Sequence, residues 1–500
     1  MAGQSQCDSV TSIRFPVDTG TFQIMQDFGA PSPRHQGRYH TGEDWYGGRG
    51  TSIGQTVYAI ANGRVTFSSP GAWGRDGGVI IIEHTFPDGT VAYSMYGHIA
   101  EGNGIGFPPV LSCVREGDPL AVIQDIRPAP HVHFEIRTNN PDVPGAGYVW
   151  DFPTLGGWRR PSKFILNWQL WLSRAHRWHL DLADEAGPIS PPVSFNDNSL
   201  IYLDADRVSR VSSDGRVLWR VNLDQPAVGV IPYQDAVAVL YASGSLRQIY
   251  ADGSLGEQWN LGLTFDGAPV IARDLVLLHT ADRQVVALDS NAHTIFWRIA
   301  DMPPIERAAA GASAIGLITA DNHLFTLSYA GEIVDQAVLR EPGALIADAD
   351  DQGGLLAFTR GGFWRISPTG EWALPLTDTP FGGESAAIER EADGRVYGFD
   401  GFTLRAYQPD LSVRWTVDLP GVQGQTQLES TGDFVILTSS YGTIAAVRAA
   451  DGAVCNAGRI FGDRRSQLWS ALGSDGLLRV FTADQIIGLD WQRFLLGCAG

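Results

Sequence analysis

The tightest constraint on this 500-residue chain is a repeat of about 40 residues that fills its C-terminal part. Short apolar runs recur at Leu200–Leu203, Ala236–Tyr241, Leu275–His279, Ile315–Thr319, Leu355–Phe358, Val396–Phe399, Phe434–Leu437 and Leu477–Val480. After them come polar turns that end at Trp219, Trp259, Trp297, Trp372 and Trp415, with Cys455 in that place in a later unit and a weaker turn near Asp335. The Trp-to-Trp steps of 40, 38 and 43 residues fit one series. A single unit of this size cannot bury both faces of its sheet, so the units must stack, and radial closure gives a β-propeller. The count points to eight blades, with seven the nearest alternative. A tryptophan that returns once per repeat is expected between blades rather than on a binding surface.

The repeat is similar to the pyrroloquinoline-quinone type, whose turn ends in Gly-x-x-x-Trp. That resemblance implies a propeller; the adjacent-cysteine pair of the quinone dehydrogenases is absent, so redox chemistry is not expected. Composition narrows the partners further. With 36 basic against 55 acidic residues the net charge is −19, and no Lys/Arg-dense stretch interrupts it. Nucleic acid is therefore not an expected partner. No run of about 18 apolar residues occurs, so no membrane-spanning helix is expected. Four cysteines fall as an early pair, Cys7 and Cys113, and a late pair, Cys455 and Cys498, which suggests one disulfide in each region. Met1–Ser12 lacks the pattern of a signal peptide, and the expectation is a mature N-terminus behind an added Met.

Residues 14–160 form a different unit. Strand-like runs at Thr56–Ile60, Gly63–Phe67, Val79–His84 and Val91–His98 alternate with glycine-rich turns, and Asn62-Gly63 and Asp88-Gly89 look like hairpin tips. An antiparallel β domain is expected. Phe164, Trp168, Trp171, Leu172 and Ala175 then follow helical spacing, with Ser162 placed to cap. His176 and His179 would share a face of that helix, and Trp150, Trp158, Trp168 and Trp171 would glue it to the β domain. Three prolines within Gly187–Ser194 make a stiff connector, so residues 161–194 are expected to link the β domain to a propeller at 195–500. The fold class is mainly β throughout.

The chemistry is concentrated in the first unit. Six of the eleven histidines lie in the first 133 residues. Three motifs carry four of them: His40-x-Gly42-x-Asp44, Tyr96-Gly97-His98, and His131-x-His133-Phe134-Glu135. A hydrolytic zinc site needs three His or carboxylate ligands and an open position, which His40, Asp44 and one of the paired histidines can supply. On a strand, residues two apart share a face, so His131 and His133 would point into one groove. His84 and His35 are expected to stand apart, at a strand edge and in a solvated loop.

These motifs, in this order, resemble those of the lysostaphin-type zinc endopeptidases of bacterial cell walls, over roughly residues 22–138. By position, the resemblance implies His40, Asp44 and His133 as zinc ligands and His98 and His131 as catalytic residues. It further implies peptide hydrolysis in peptidoglycan and a location at the cell surface, outside the cell or in the periplasm. The acidic propeller would serve as a targeting or scaffold module for a protein or neutral glycan. The competing expectation is an inactive surface protein that keeps the zinc-site fold. Two segments depart from the relatives: an insertion at 101–113 and Gln124–Pro130 before His131. Both are expected to border the groove.

Overall fold

The computed structural model describes residues 7–182 and 190–500, apart from short stretches at 205, 235, 273–274, 290–293, 312, 340–344, 349–353, 360–361, 372–385, 392, 460–467, 497 and 499–500. Trp372 and residues 187–189 of the expected connector lie outside these residues. The chain divides into two compact units, Met1–Ser173 and Arg174–Gly500.

The first unit is built from β1 (Gln23–Gln26), β2 (Pro31–Ser32), β3 (Arg38–His40), β4 (Glu43–Tyr46), β5 (Thr56–Tyr58), β6 (Gly63–Ser69), β7 (Gly78–Thr85), β8 (Val91–Ala100), β9 (Cys113–Val114), β10 (Pro119–Ile123), β11 (Val132–Arg137), β12 (Tyr148–Val149) and β13 (Trp158–Arg159). A large sheet runs β1-β4-β11-β8-β7-β6-β9, with β10 bridging β8 and β5, and a small sheet runs β12-β3-β2. All pairings are antiparallel. Long apolar strands such as β7 bury nearly every side chain, because Ile80, Ile82, Phe134 and Ile136 face a core shared with Ile165 and Trp168 of the helix Pro161–Trp171. Cys7 and Cys113 are joined, which ties the N-terminus to β9.

Several local expectations are corrected. Asp88-Gly89 does turn β7 into β8, but Asn62-Gly63 is no hairpin tip, since β5 pairs with β10 rather than β6. Asn62 is an anchor instead: its carbonyl accepts from His84 and its side-chain oxygen from the Glu116 N–H. Ser162 does not cap the helix. Pro161 takes the first helical position, and the Ser162 hydroxyl donates to buried Glu43 at 2.6 Å. Trp168 stacks on Phe86 at 4.0 Å and so does fix the helix, whereas Trp150 is 65% exposed.

The helix also ends at Trp171, and His176–Asp181 is a strand, β14, with a period of two: Trp178 and Leu180 turn inward while Arg177 and His179 are exposed. Its place explains the second unit. Eight sheets follow one another, seven with four strands and one with three described strands. Seven take their strands consecutively from the chain, but the last joins three C-terminal strands, Trp469–Leu472, Leu477–Phe481 and Gln485–Asp490, to β14 from the unit's beginning. Apolar clusters join neighbouring sheets, and the last meets the first through Trp178, Trp469 and Phe481 packed on Leu200, Tyr202 and Val211. This is an eight-bladed ring with its ends laced together.

The tryptophans lie between blades. The rings of Trp219, Trp297 and Trp415 cover Gly253, Gly331 and Gly452 of the next blade, each at positive φ, and Trp178 covers Gly215 in the same way. Trp178 also donates its indole N–H to the Ser213 carbonyl, as Trp219 does to Ala251 and Trp415 to Ala449. It is the missing member of the series, displaced to the front of the unit because the outer strand of the closing blade comes from there. Cys455 and Cys498 are joined, pinning the C-terminus to the preceding blade.

This docking predicts unequal costs for two glycine substitutions. A Cβ on Gly215 would lie 2.5 Å from the Trp178 ring, whereas one on Gly476, also at positive φ, meets nothing within 4 Å. Gly476→Ala should cost about 1 kcal/mol from backbone strain alone, and Gly215→Ala about 1–3 kcal/mol more from overpacking. Equal denaturant midpoints for the two variants would contradict the Trp–Gly contact as the ring's fastening.

Candidate metal centre

Three strands bring the ligand set together. β11 lies between β4 and β8, so His133 is in register with Asp44 on one side and Gly97 on the other. His40 ends β3, one tight turn before β4, and Gly42 fits there because a Cβ would lie 2.3 Å from the Phe134 carbonyl oxygen. Asp44 Oδ1 is 3.2 Å from His40 Nε2 and 2.9 Å from His133 Nδ1, and the two ring nitrogens are 3.0 Å apart. All three residues are buried. Among the described residues they are the one group of three or more ligand-type side chains converging closely enough to hold a metal ion.

The surroundings fix which atoms face inward. His40 Nδ1 is 3.1 Å from the Asp27 carbonyl, which can only accept, so Nδ1 carries the proton and Nε2 presents a lone pair to the centre. His133 Nε2 is 2.9 Å from Glu135 Oε1 and donates there, leaving Nδ1 for the centre. Glu135 is itself held by the Thr41 hydroxyl, the Trp158 indole N–H and Arg137. Burial opposes its charge, but the Arg137 guanidinium and the bond from His133 hold its pKa down to about 2. It is therefore a fixed anion, the outer partner that orients a metal-bound imidazole.

Two imidazole lone pairs and a carboxylate facing one another in a buried space repel unless a cation sits among them. Without metal, that cation is a proton. Burial disfavours a charged His133, but its bonds to Asp44 and Glu135 outweigh that and raise its pKa to about 9. Burial opposes a charge on Asp44, but the imidazoles of His131, His133 and His40 set around it, His133 protonated, outweigh that and hold its pKa well below the ordinary carboxylate range. Zinc fits the same place: tetrahedral ligands about 2.0–2.1 Å from the ion lie about 3.3 Å from one another, within a few tenths of an ångström of these separations.

His98 and His131 stand beside this group. β8 carries a bulge against β7, with Gly97 opposite Val79 and Ile99 opposite Gly78, so His98 is the extra residue. Its φ of 60° aims the ring out of the pleat and toward His131, 4.6 Å away. His98 Nδ1 donates to the Asp76 carbonyl and His131 Nδ1 to the Ala129 carbonyl, which leaves each Nε2 unprotonated and inward. Burial, with a second imidazole at His131 close by, pushes His98 down to about 3, so its ring is neutral. His131 Nε2 lies 3.4 Å from Asp44 Oδ2. The five residues singled out by motif thus form one cluster.

Sequence reasoning missed the walls. Trp73 lies 4.9 Å from His98 and 5.6 Å from His133, and Gly97 is glycine because a Cβ would sit 2.3 Å from that ring. A glycine inside an apolar strand was the signal that another group approaches closely. Tyr148 stands 5.1 Å from His40, and His35, expected in solvent, stacks on it at 3.6 Å. His84 belongs elsewhere: buried, neutral with a pKa near 4 from desolvation, it bonds Asn62 and Ser94. The 124–130 segment reaches the site through Ala129, and Gln124 bonds the Arg75 carbonyl. In the 101–113 segment, Phe107 packs on Gly78 and the Leu111 N–H bonds Val65 of β6.

Comparison with known proteins agrees with this division. Residues 38–144 match the family model described as peptidase family M23, and residues 172–350 match the one described as outer membrane protein assembly factor BamB. Similar solved structures include BamB from Moraxella catarrhalis, at 16% identity and a TM-score of 0.44, covering 63% of this chain and 99% of that one. Another is a quinohemoprotein alcohol dehydrogenase from Pseudomonas putida, at 14% identity and a TM-score of 0.44, covering 63% and 76%. No curated protein matches the chain.

The protonation state gives a prediction for the purified protein. If zinc replaces the proton on His133, calorimetry at pH 7 in buffers of different ionisation enthalpy should show about one proton released per zinc, and affinity should fall about tenfold per unit as pH drops from 8 to 6. Release of no proton would mean that the ion binds elsewhere. Glu135→Gln should weaken zinc by about 10–100-fold.

Proposed function

We propose that this chain is a zinc-dependent endopeptidase that hydrolyses peptide bonds in bacterial peptidoglycan, with the propeller as a targeting or scaffold module. The observation that supports it most is a complete His40, Asp44 and His133 ligand set with two further imidazoles, His98 and His131, whose Nε2 atoms face the same space. The match of residues 38–144 to peptidase family M23 adds to it. When bound, zinc would polarise a carbonyl and make water a better nucleophile.

The chain's own residues handle the protons. His131 Nε2, beside Asp44 Oδ2, is placed to take the proton of the attacking water, and the resulting imidazolium can return it to the departing amine nitrogen. His98 remains neutral and fixed to Asp76, so it positions the reacting oxygen without competing for charge. Trp73 and Tyr148 bound the space with aromatic surface and keep bulk water from the ligands.

Two disulfides support export, because such bonds persist in oxidising compartments, and we assign the protein to the cell surface, the extracellular space or the periplasm. No helix of the described residues is long and apolar enough to cross a membrane. The acidic ring is expected to bind protein or neutral glycan rather than nucleic acid.

The test is digestion of purified peptidoglycan by the zinc-loaded chain, with released peptide ends and bound zinc measured on the same samples. Asp44→Ala should lose both zinc and cleavage. His131→Ala should keep one zinc and lose turnover by about 10²–10⁴-fold. Cleavage that survives in His131→Ala would overturn the proton-transfer assignment, and bound zinc without cleavage by wild type would favour a binding module.

A further inference from the structure

The small sheet carries more than a metal ligand. In its register Tyr148 is opposite His40, so both project to one face, and two residues outward on that face Arg38 meets Trp150, with the guanidinium 5.3 Å from the indole centroid. Val149 and Tyr39, the pair between them, face the other way. One continuous strip therefore leads from His40 through Tyr148 to Arg38 and Trp150.

The outer end of this strip is built but unsatisfied. Arg38 Nε donates to the His35 carbonyl, and His35 is held by the Ser32 hydroxyl and by its stack on Tyr148, so the guanidinium plane is fixed. Among the described residues no carboxylate lies within ion-pair distance of Arg38, whose Nε bond goes to a carbonyl instead. Trp150 remains 65% exposed. A guanidinium laid on an aromatic face keeps its outer edge free for two parallel hydrogen bonds, the geometry that a carboxylate accepts.

We propose that Arg38 and Trp150 form a specificity subsite for a free carboxylate on the peptide substrate. Strand spacing sets its reach. Two residues of strand span about 7 Å, and an extended substrate presents side chains on one face at the same interval. The carboxylate therefore belongs to the substrate residue about two positions from the bond held at the metal centre, and Trp150 supports the apolar part of that residue. This inference rests on the hydrolytic reading of the site.

The experiment uses the zinc-loaded full chain and cross-linked peptide fragments from cell wall in two forms, one with native carboxylates and one with carboxyls converted to amides by carbodiimide and ammonia. Wild type should cut the native form with a kcat/KM at least about tenfold higher, an effect carried by KM, since a charge-assisted bidentate contact is lost on amidation. Arg38→Gln should bring the ratio between the two forms close to one. Binding of both forms to the zinc-loaded His131→Ala variant, alone and combined with Arg38→Gln, separates recognition from turnover. An Arg38-dependent preference in binding without cleavage by wild type would sustain the subsite and sink the hydrolytic reading. Equal cleavage of the two forms, or a preference that survives Arg38→Gln, would overturn the subsite and leave hydrolysis standing. Neither binding nor cleavage would overturn both.

Discussion

Two imidazole lone pairs and a carboxylate oxygen are forced to within 3.2 Å of one another in a buried space, and the first unit is arranged around holding them there. Such a cluster is stable only with a cation at its centre, and the protein prepares for one from outside. The Asp27 carbonyl fixes His40, and Glu135, kept anionic by Arg137 and clamped by Thr41 and Trp158, fixes His133. The expense of burying these charges falls on the sheet, whose close-packed apolar strands carry the ligand positions. Rigidity is therefore part of the chemistry, because each ring nitrogen must be both oriented and in the right tautomer before a metal arrives.

The second unit solves a separate problem by similar means. A ring of sheets has no covalent closure of its own, and here the closing blade borrows its outer strand from the start of the unit. The Trp178 ring on Gly215 repeats the contact used at other blade junctions, so closure is made with the same fastening as the rest of the ring. The Cys455–Cys498 disulfide adds a covalent restraint on the other side of the closing blade, between the segment that follows it and the blade before it.

Much of this was legible in the residues, and the exceptions share a cause. Periodic features came through: the repeat of about 40 residues gave the propeller, and the His-x-His spacing put two rings on one side of Asp44. What stayed hidden depends on contacts between distant segments. The stretch around Trp178 reads as helix because His176 and His179 fit a helical step as well as a strand, and only pairing with Gln485–Asp490 decides between them. Glu135 was visible in its motif, but its role needs Arg137, Thr41 and Trp158 in place. Trp73, Tyr148 and His35 approach the centre from loops whose path no spacing rule fixes, and Gly97 alone hinted at one of them.

The chemistry of the first unit turns on where a metal ion sits. A crystal structure of the zinc-soaked protein, with the ion located by anomalous scattering at the zinc edge, tests it most directly. The expected result is one zinc about 2.0–2.2 Å from His40 Nε2, His133 Nδ1 and an Asp44 oxygen, with its remaining position open toward His98 and His131. Zinc bound by His98 or His131 in place of those ligands, or absent from the cluster while present elsewhere, would contradict it.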